Sequence, residues 1–421
     1  EVCTQYIERI EKFEKDVKAW QYFDKKKLLE KAVEADEYRK SGKPLGSLHG
    51  LPIAVKDIIG TFEMPTECGS PLRKKMPSSQ DSEIVNLLKI EGAIVMGKTV
   101  TTELAYFHPG KTTNPHDNTR TPGGSSSGSA AVIAAHMAPL SIGTQTNGSV
   151  IRPASYCGVV GYKPSYGLIS RSGVMRQSDK LDHIGVFGKT VEDVALFAKS
   201  LIKKDLYDPS TIHYAADEML NVCKKGPIYE PKFIFYKTKN WKNIDKESQK
   251  SFDFFIKTFS KNIEVFDTPS YFDDIPKYHK IIHETDMANN FQGYYKKSKK
   301  FLSKEMVSAI ERGLKYSAKE YAEAIDFMKR SYESYKEVFE DFHGVLTPSS
   351  SGVAPKGLKS TGSPEFSTIW TYMGLPSISL PLLIGANNLP LGIQLVGDKL
   401  DDLRFLGVAN WLEKNCKKYA K

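Results

Sequence analysis

The chain has 421 residues, 40% hydrophobic, 26% charged and 11% aromatic, a balance that excludes disordered and fibrous classes and leaves room for a large core. No apolar run approaches the ~18 residues that a helical membrane span needs, so no membrane partner is expected. The formal net charge of +9 rests on 49 lysines and 10 arginines, and because phosphate forks and base readout favour arginine, it argues against a nucleic-acid partner.

Short apolar, β-branched runs alternate with amphipathic segments from about residue 50, the pattern of βα units on a mostly parallel or mixed sheet. Strands are predicted at 51–55, 93–97, 140–143, 159–162, 233–236, 263–266, 345–347, 378–383 and 392–396. Between the first two, Asp81 is placed to cap a helix whose Ile84, Val85, Leu87, Leu88 and Ile90 form one apolar face. A helix of small residues is predicted at 130–138. Residues 206–340 are rich in lysine and glutamate and mostly helical by pattern. There Ser317 and Glu320 form a capping box before a helix whose Tyr321, Ile325, Met328, Tyr332, Tyr335, Phe339 and Phe342 recur at packing spacing. Ser363-Pro364 then opens a further helix. No repeat or linker divides the sequence, so 1–421 is read as one domain with 206–340 as a variable region inside it.

Five scattered cysteines (Cys3, Cys68, Cys157, Cys223, Cys416) include no C-x-x-C pair. They support neither a disulfide framework nor a zinc knuckle, and fit a reducing, cytoplasmic compartment. No H-E-x-x-H or close His/Cys/carboxylate cluster appears, so neither metal nor cofactor is expected.

The densest chemical signal is Thr121-Pro-Gly-Gly-Ser-Ser-Ser-Gly-Ser129, a loop that offers hydroxyls and leads into a helix N-terminus. As a phosphate cradle it fails, lacking both G-x-x-x-x-G-K-[ST] and a G-x-G-x-x-G after a strand. As a nucleophile elbow, Gly124 to Gly128 matches G-x-S-x-G with Ser126 central, but the approach is a polar loop where an elbow needs a strand. A third reading adds Leu48-His-Gly-Leu-Pro-Ile-Ala-Val-Lys56-Asp57 and Gly143-Thr-Gln-Thr-Asn-Gly-Ser149-Val-Ile-Arg-Pro. Lys56 ends an apolar strand, where it either snorkels to solvent or loses its proton to burial and becomes a base.

With these segments and Cys157-Gly-Val-Val-Gly-Tyr-Lys-Pro164 in order, the chain resembles the amidase signature enzymes over nearly its whole length. The resemblance implies an α/β fold with a single large mixed β-sheet flanked by helices on both faces. It also implies Ser149 as nucleophile, Ser125 as the serine after a cis peptide bond, and Lys56 as base. Backbone N–H groups of Thr146, Asn147 and Gly148 are the implied oxyanion hole, with Ser126, Gln145 and Arg152 around it. Gln145 stands where many relatives have an acidic residue, Asn147 where many have glycine, and Arg152 one position later than in many. The expected reaction is hydrolysis of a linear carboxamide through an acyl-enzyme, releasing ammonia or an amine, without metal or cofactor. The expected partner is a small amide substrate, and a homodimer is compatible with the reading.

The family includes free amidases and the glutaminase (A) component of tRNA-dependent amidotransferases, which hydrolyses glutamine and hands ammonia to a partner. Thr347-Pro-Ser-Ser-Ser351 and Trp370-Thr-Tyr-Met-Gly-Leu-Pro376 look more like the free bacterial enzymes, so that reading stands first, the amidotransferase component second and an idle binding protein third. Substrate pockets are expected near 105–111, 173–179 and 283–291, with His108, Arg176 and His283 left outside the site.

Overall fold

A computed structural model describes residues 1–419, with side chains to Cys416. Eleven strands form one sheet: Trp20–Phe23 (β1), Pro52–Lys56 (β2), Ile94–Thr99 (β3), Leu140–Gln145 (β4), Val160–Lys163 (β5), His183–Gly188 (β6), Phe233–Tyr236 (β7), Ile263–Phe266 (β8), Gly344–Pro348 (β9), Ser377–Ile384 (β10) and Pro390–Val396 (β11). Their spatial order is β1-β3-β2-β4-β6-β5-β10-β11-β9-β7-β8. The outer groups β3-β2-β4 and β9-β7-β8 are parallel. The middle, from β4 through β6, β5, β10 and β11 to β9, is antiparallel. The mixed sheet of the α/β expectation is thus present, with β1 and β6 in addition to the nine predicted strands.

Alternation along the strands assigns each residue to a face. Ile53 and Val55 of β2, Val186 of β6, Phe235 of β7 and Leu395 of β11 enter one continuous core with the helices Glu83–Ile90, Val191–Lys199 and Asp402–Tyr419. On the opposite face, Ala54 and Phe187 meet Val2–Val17 and Ser127–Ala134 at one end of the sheet. Ile234, Tyr236 and Val345 meet Ile275–Asn290 and Thr368–Met373 at the other. Among the described residues no helix is long and apolar enough to cross a membrane.

Four local expectations are corrected. Asp81 does not cap the first crossover helix; Ser82 does, accepting from Val85 N, while Asp81 accepts from Phe62 N and pairs with Lys89. Ser363-Pro364 opens a turn, and the helix begins at Thr368 after Ser367, whose N–H donates to Pro364 O. The aromatic helix starts at the Ser317–Glu320 capping box but ends at Glu333, so Tyr335 and Phe339 reach the core from beyond it. The small-residue helix starts earlier than predicted, at Ser127.

Candidate active site

Lys56 is the last residue of β2, and the neighbouring β4 carries Thr144 beside it. The parallel pairing brings the ends of both strands to one place, where the loop before Ser127–Ala134 crosses them. Ser126 fastens that loop, since its Oγ donates to Thr144 O and accepts from Thr144 N. Ser129 in the helix and Ser141 in β4 add two further bonds, Ser129 Oγ to Ile142 O and Ser141 Oγ to Ser129 O. Ser126 is therefore fully buried and committed to strand backbone, unlike the exposed serine of an elbow.

The Gly124–Ser125 peptide bond is cis. Lys56 Nζ donates to Ser125 Oγ and to Thr144 Oγ1, each at 2.7 Å. Lys56 is fully buried, and loss of hydration holds its pKa well below the ordinary lysine value. Asp182 pulls the other way, but no carboxylate lies within ion-pair distance of Lys56 among the described residues; Asp182 accepts instead from Thr146 Oγ1, Gln177 N and Ser178 N. The snorkelling reading of Lys56 fails on this burial.

Beyond β4 the chain turns through 146–149 into the helix Ile151–Cys157. Gln145 shapes the turn: its Oε1 accepts from Val150 N and Ile151 N at the helix start, and its Nε2 donates to Thr371 Oγ1. Thr371 in turn donates to Asn147 O, and Thr368 to Asn147 Oδ1. Asn147, Gly148 and Ser149 are left with backbone N–H groups that meet no acceptor among the described residues. Arg152 reaches back across the site, donating from Nε to Thr361 O and from Nη2 to Gly124 O, the carbonyl of the cis bond. Burial without a carboxylate lowers Arg152 to about 10, and its Nη1 has no partner among the described residues.

Ser149 is half-buried on a narrow pocket that it shares with Ala105, Tyr106, Phe107, Arg152, Gln177 and His283. An adjoining pocket shares Ala105, Thr146 and Gln177 and continues past Thr144 to Arg176 and His183. Of the residues left outside the site, His283 therefore lies on it, Arg176 rims the second cavity in a pair with Asp179, and His108 pairs with Glu305 at the surface. Thr144, Gln177, Asp182 and His279 were not singled out in the sequence; Thr144 sits inside the second serine segment, which was the available signal. Among the described residues no cluster of three His, Cys, Asp or Glu could hold a metal.

Comparison with known proteins identifies the family of the chain. The Amidase family model matches residues 1–406, so the chain belongs to that family, whose members act on carbon–nitrogen bonds. The A component of the glutamyl-tRNA(Gln) amidotransferase from Alkaliphilus metalliredigens is 31% identical, and that from Fusobacterium nucleatum 33%, each match covering 98% of this chain and 92% of the relative. A solved amidase structure superposes with a TM-score of 0.83 at 25% identity, covering 98% of this chain and 95% of its own. The curated relatives thus carry the name of the amidotransferase component, which the sequence motifs alone rank behind the free amidases.

Proposed function

We propose that this protein is a serine amidohydrolase that cleaves a linear carboxamide through an acyl-enzyme on Ser149, with Ser125 and Lys56 as its proton relay. The observation that carries the reading is a fully buried lysine, held by burial well below the ordinary lysine pKa, 2.7 Å from a serine hydroxyl. At rest Lys56 Nζ donates to both hydroxyls; rotation about the Cε–Nζ bond, with one N–H kept by Thr144 Oγ1, brings the lone pair of the deprotonated amine onto Ser125 Oγ for the proton transfer. As Ser149 Oγ attacks the carbonyl carbon, its proton passes to Ser125 while the proton of Ser125 passes to Lys56. The oxyanion is received by the backbone N–H groups of the 146–149 turn, held in place by Gln145 and Thr371 before substrate arrives. The proton returns by the same route to the leaving nitrogen, and water repeats the sequence on the ester. Arg152 and Ser126 hold the Ser125 loop from either side. No metal or cofactor enters the scheme.

A fluorophosphonate probe tests it. Ser149 should be modified, and fragment sequencing must place the label, because Arg152 and Lys163 precede proline and trypsin releases 121–171 as one peptide. Label on Ser126 would restore the elbow, and none at all would favour a binding protein. The 31% and 33% identities to amidotransferase A components favour a second reading, a glutaminase that works within an assembly. Unaided turnover of simple amides by the isolated chain supports the first reading; strict dependence on glutamine and on a partner protein supports the second.

A further inference from the structure

The helix Ile275–Asn290 carries His279 and His283 one turn apart, both buried and neither used in the scheme above. His279 Nε2 lies 2.9 Å from Thr146 O, and since a carbonyl only accepts, Nε2 bears the proton. His283 Nε2 lies 3.1 Å from the Gln177 side-chain oxygen. That oxygen is identified by the other end of the amide, whose Nε2 donates to Leu104 O at 2.7 Å. His283 therefore also donates from Nε2, and its Nδ1 is left as a bare acceptor with no partner among the described residues. The ring lies on the cavity that holds Ser149, edge-on to Tyr106 at 5.6 Å between centroids. Burial, helped by His279 alongside, keeps His283 far below the ordinary imidazole value, so the lone pair stays free.

We propose that His283 Nδ1 is a substrate-recognising acceptor that selects carboxamides bearing an uncharged O–H or N–H donor next to the scissile carbonyl over their hydrocarbon isosteres. The proposal rests on Ser149 being the nucleophile. Such an acceptor discriminates because an isostere that displaces water from it leaves it unpaired. Gln177 is a positioning residue, acting through the tautomer of His283. His283 belongs to a segment outside the serine motifs, so this selection is set separately from the chemistry.

Protection of Ser149 from fluorophosphonate labelling reads amide binding on the full chain without requiring turnover. 2-Hydroxypropanamide should protect at a concentration roughly tenfold or more below that of 2-methylpropanamide. In His283→Phe the ratio should fall to about one while Ser149 still labels; in His283→Asn, which retains an acceptor, part of the preference should remain. Gln177→Leu frees the tautomer and should lower the ratio with His283 intact, which keeps the test decisive if His283→Phe does not fold. Equal protection by both amides in the parent, none included, or an unchanged ratio in both His283→Phe and Gln177→Leu, overturns the proposal. A parent chain that labels elsewhere or nowhere fails the nucleophile reading instead, and shows it before any amide is added.

Discussion

At the scale of single residues, the proposed site is organised around one buried amine, Lys56, whose pKa burial holds well below the ordinary lysine value. Lys56→Met keeps the volume of a buried side chain and removes the base. It should lower kcat by about 10²–10⁴-fold, the usual share of general base catalysis, with an unchanged circular dichroism spectrum. Thr144→Val removes only the acceptor that orients the amine, and a loss of roughly 10–100-fold in kcat with Ser149 still reactive is expected. The pH profile separates bases. Since burial lowers Lys56, activity on a neutral amide should rise through one deprotonation well below ~10.4 and then hold. His183 is a rival on the adjoining pocket; its Nδ1 donates to Leu181 O and burial holds it well below the imidazole range, so replacing it should leave that step in place. A step abolished by His183→Asn would move the base from Lys56 to the histidine. These roles were readable only as far as motif spacing carries them. Lys56, Ser125 and Ser149 stand out in sequence, whereas Thr144, Asp182 and His279 become neighbours only when β4, β6 and a helix some 130 residues later converge.

At the scale of elements, apolar runs revealed nine strands and missed two for physical reasons. β6, His-Ile-Gly-Val-Phe-Gly, is laced with glycine, which pattern reasoning assigns to turns. The glycines answer to crowding: a Cβ on Gly185 would stand 2.6 Å from Val150 Cγ2 and 2.9 Å from Tyr162 O. β1 is a four-residue edge pairing only with β3, and its stability comes from a partner far along the chain. The same reasoning predicts opposite signs for one substitution. Gly128 lies in the helix after the serine loop, where a Cβ would meet Ala19 O at 2.3 Å and Val100 N at 2.5 Å, both backbone atoms that cannot yield cheaply. Gly128→Ala should therefore destabilise by about 1–3 kcal/mol despite alanine's better helix propensity. Gly293, in the helix Gln292–Ser298, has nothing within 4 Å, and Gly293→Ala should stabilise by about 0.5–1 kcal/mol. A urea midpoint that rises in Gly128→Ala would contradict the close helix-to-strand approach beside the serine loop, and one that falls in Gly293→Ala would contradict the open surroundings of that glycine.

At the scale of the whole molecule, buried lysines tie the sheet together and couple its stability to pH. Lys163 ends β5 and donates to Leu375 O and Pro164 O, joining that strand to the segment leading into β10. Beside it, buried Asp402 at the start of the C-terminal helix accepts from Tyr162 and from Ser165 N and Oγ. Burial lowers Lys163 to about 7, outweighing the opposing pull of Asp402. In the unfolded chain the same amine titrates near ~10.4, so between about 7 and that value the unfolded state holds a proton that the native state lacks. Raising the pH through this window therefore stabilises the fold, by at most about 1.4 kcal/mol per pH unit for each proton that differs. Lys56 and Lys98, also lowered by burial, add slope of the same sign. Tyr162, raised by burial, reverses it once unfolded tyrosines ionise near ~10. The five buried cysteines, raised by burial, oppose it as unfolded thiols ionise near ~8.5. The urea midpoint should accordingly climb between about pH 7 and 8, and climb less in Lys163→Met. An identical climb in the variant would mean that Lys163 keeps its proton in the folded state, and that Asp402 pairs with it as a charge rather than sharing a neutral network.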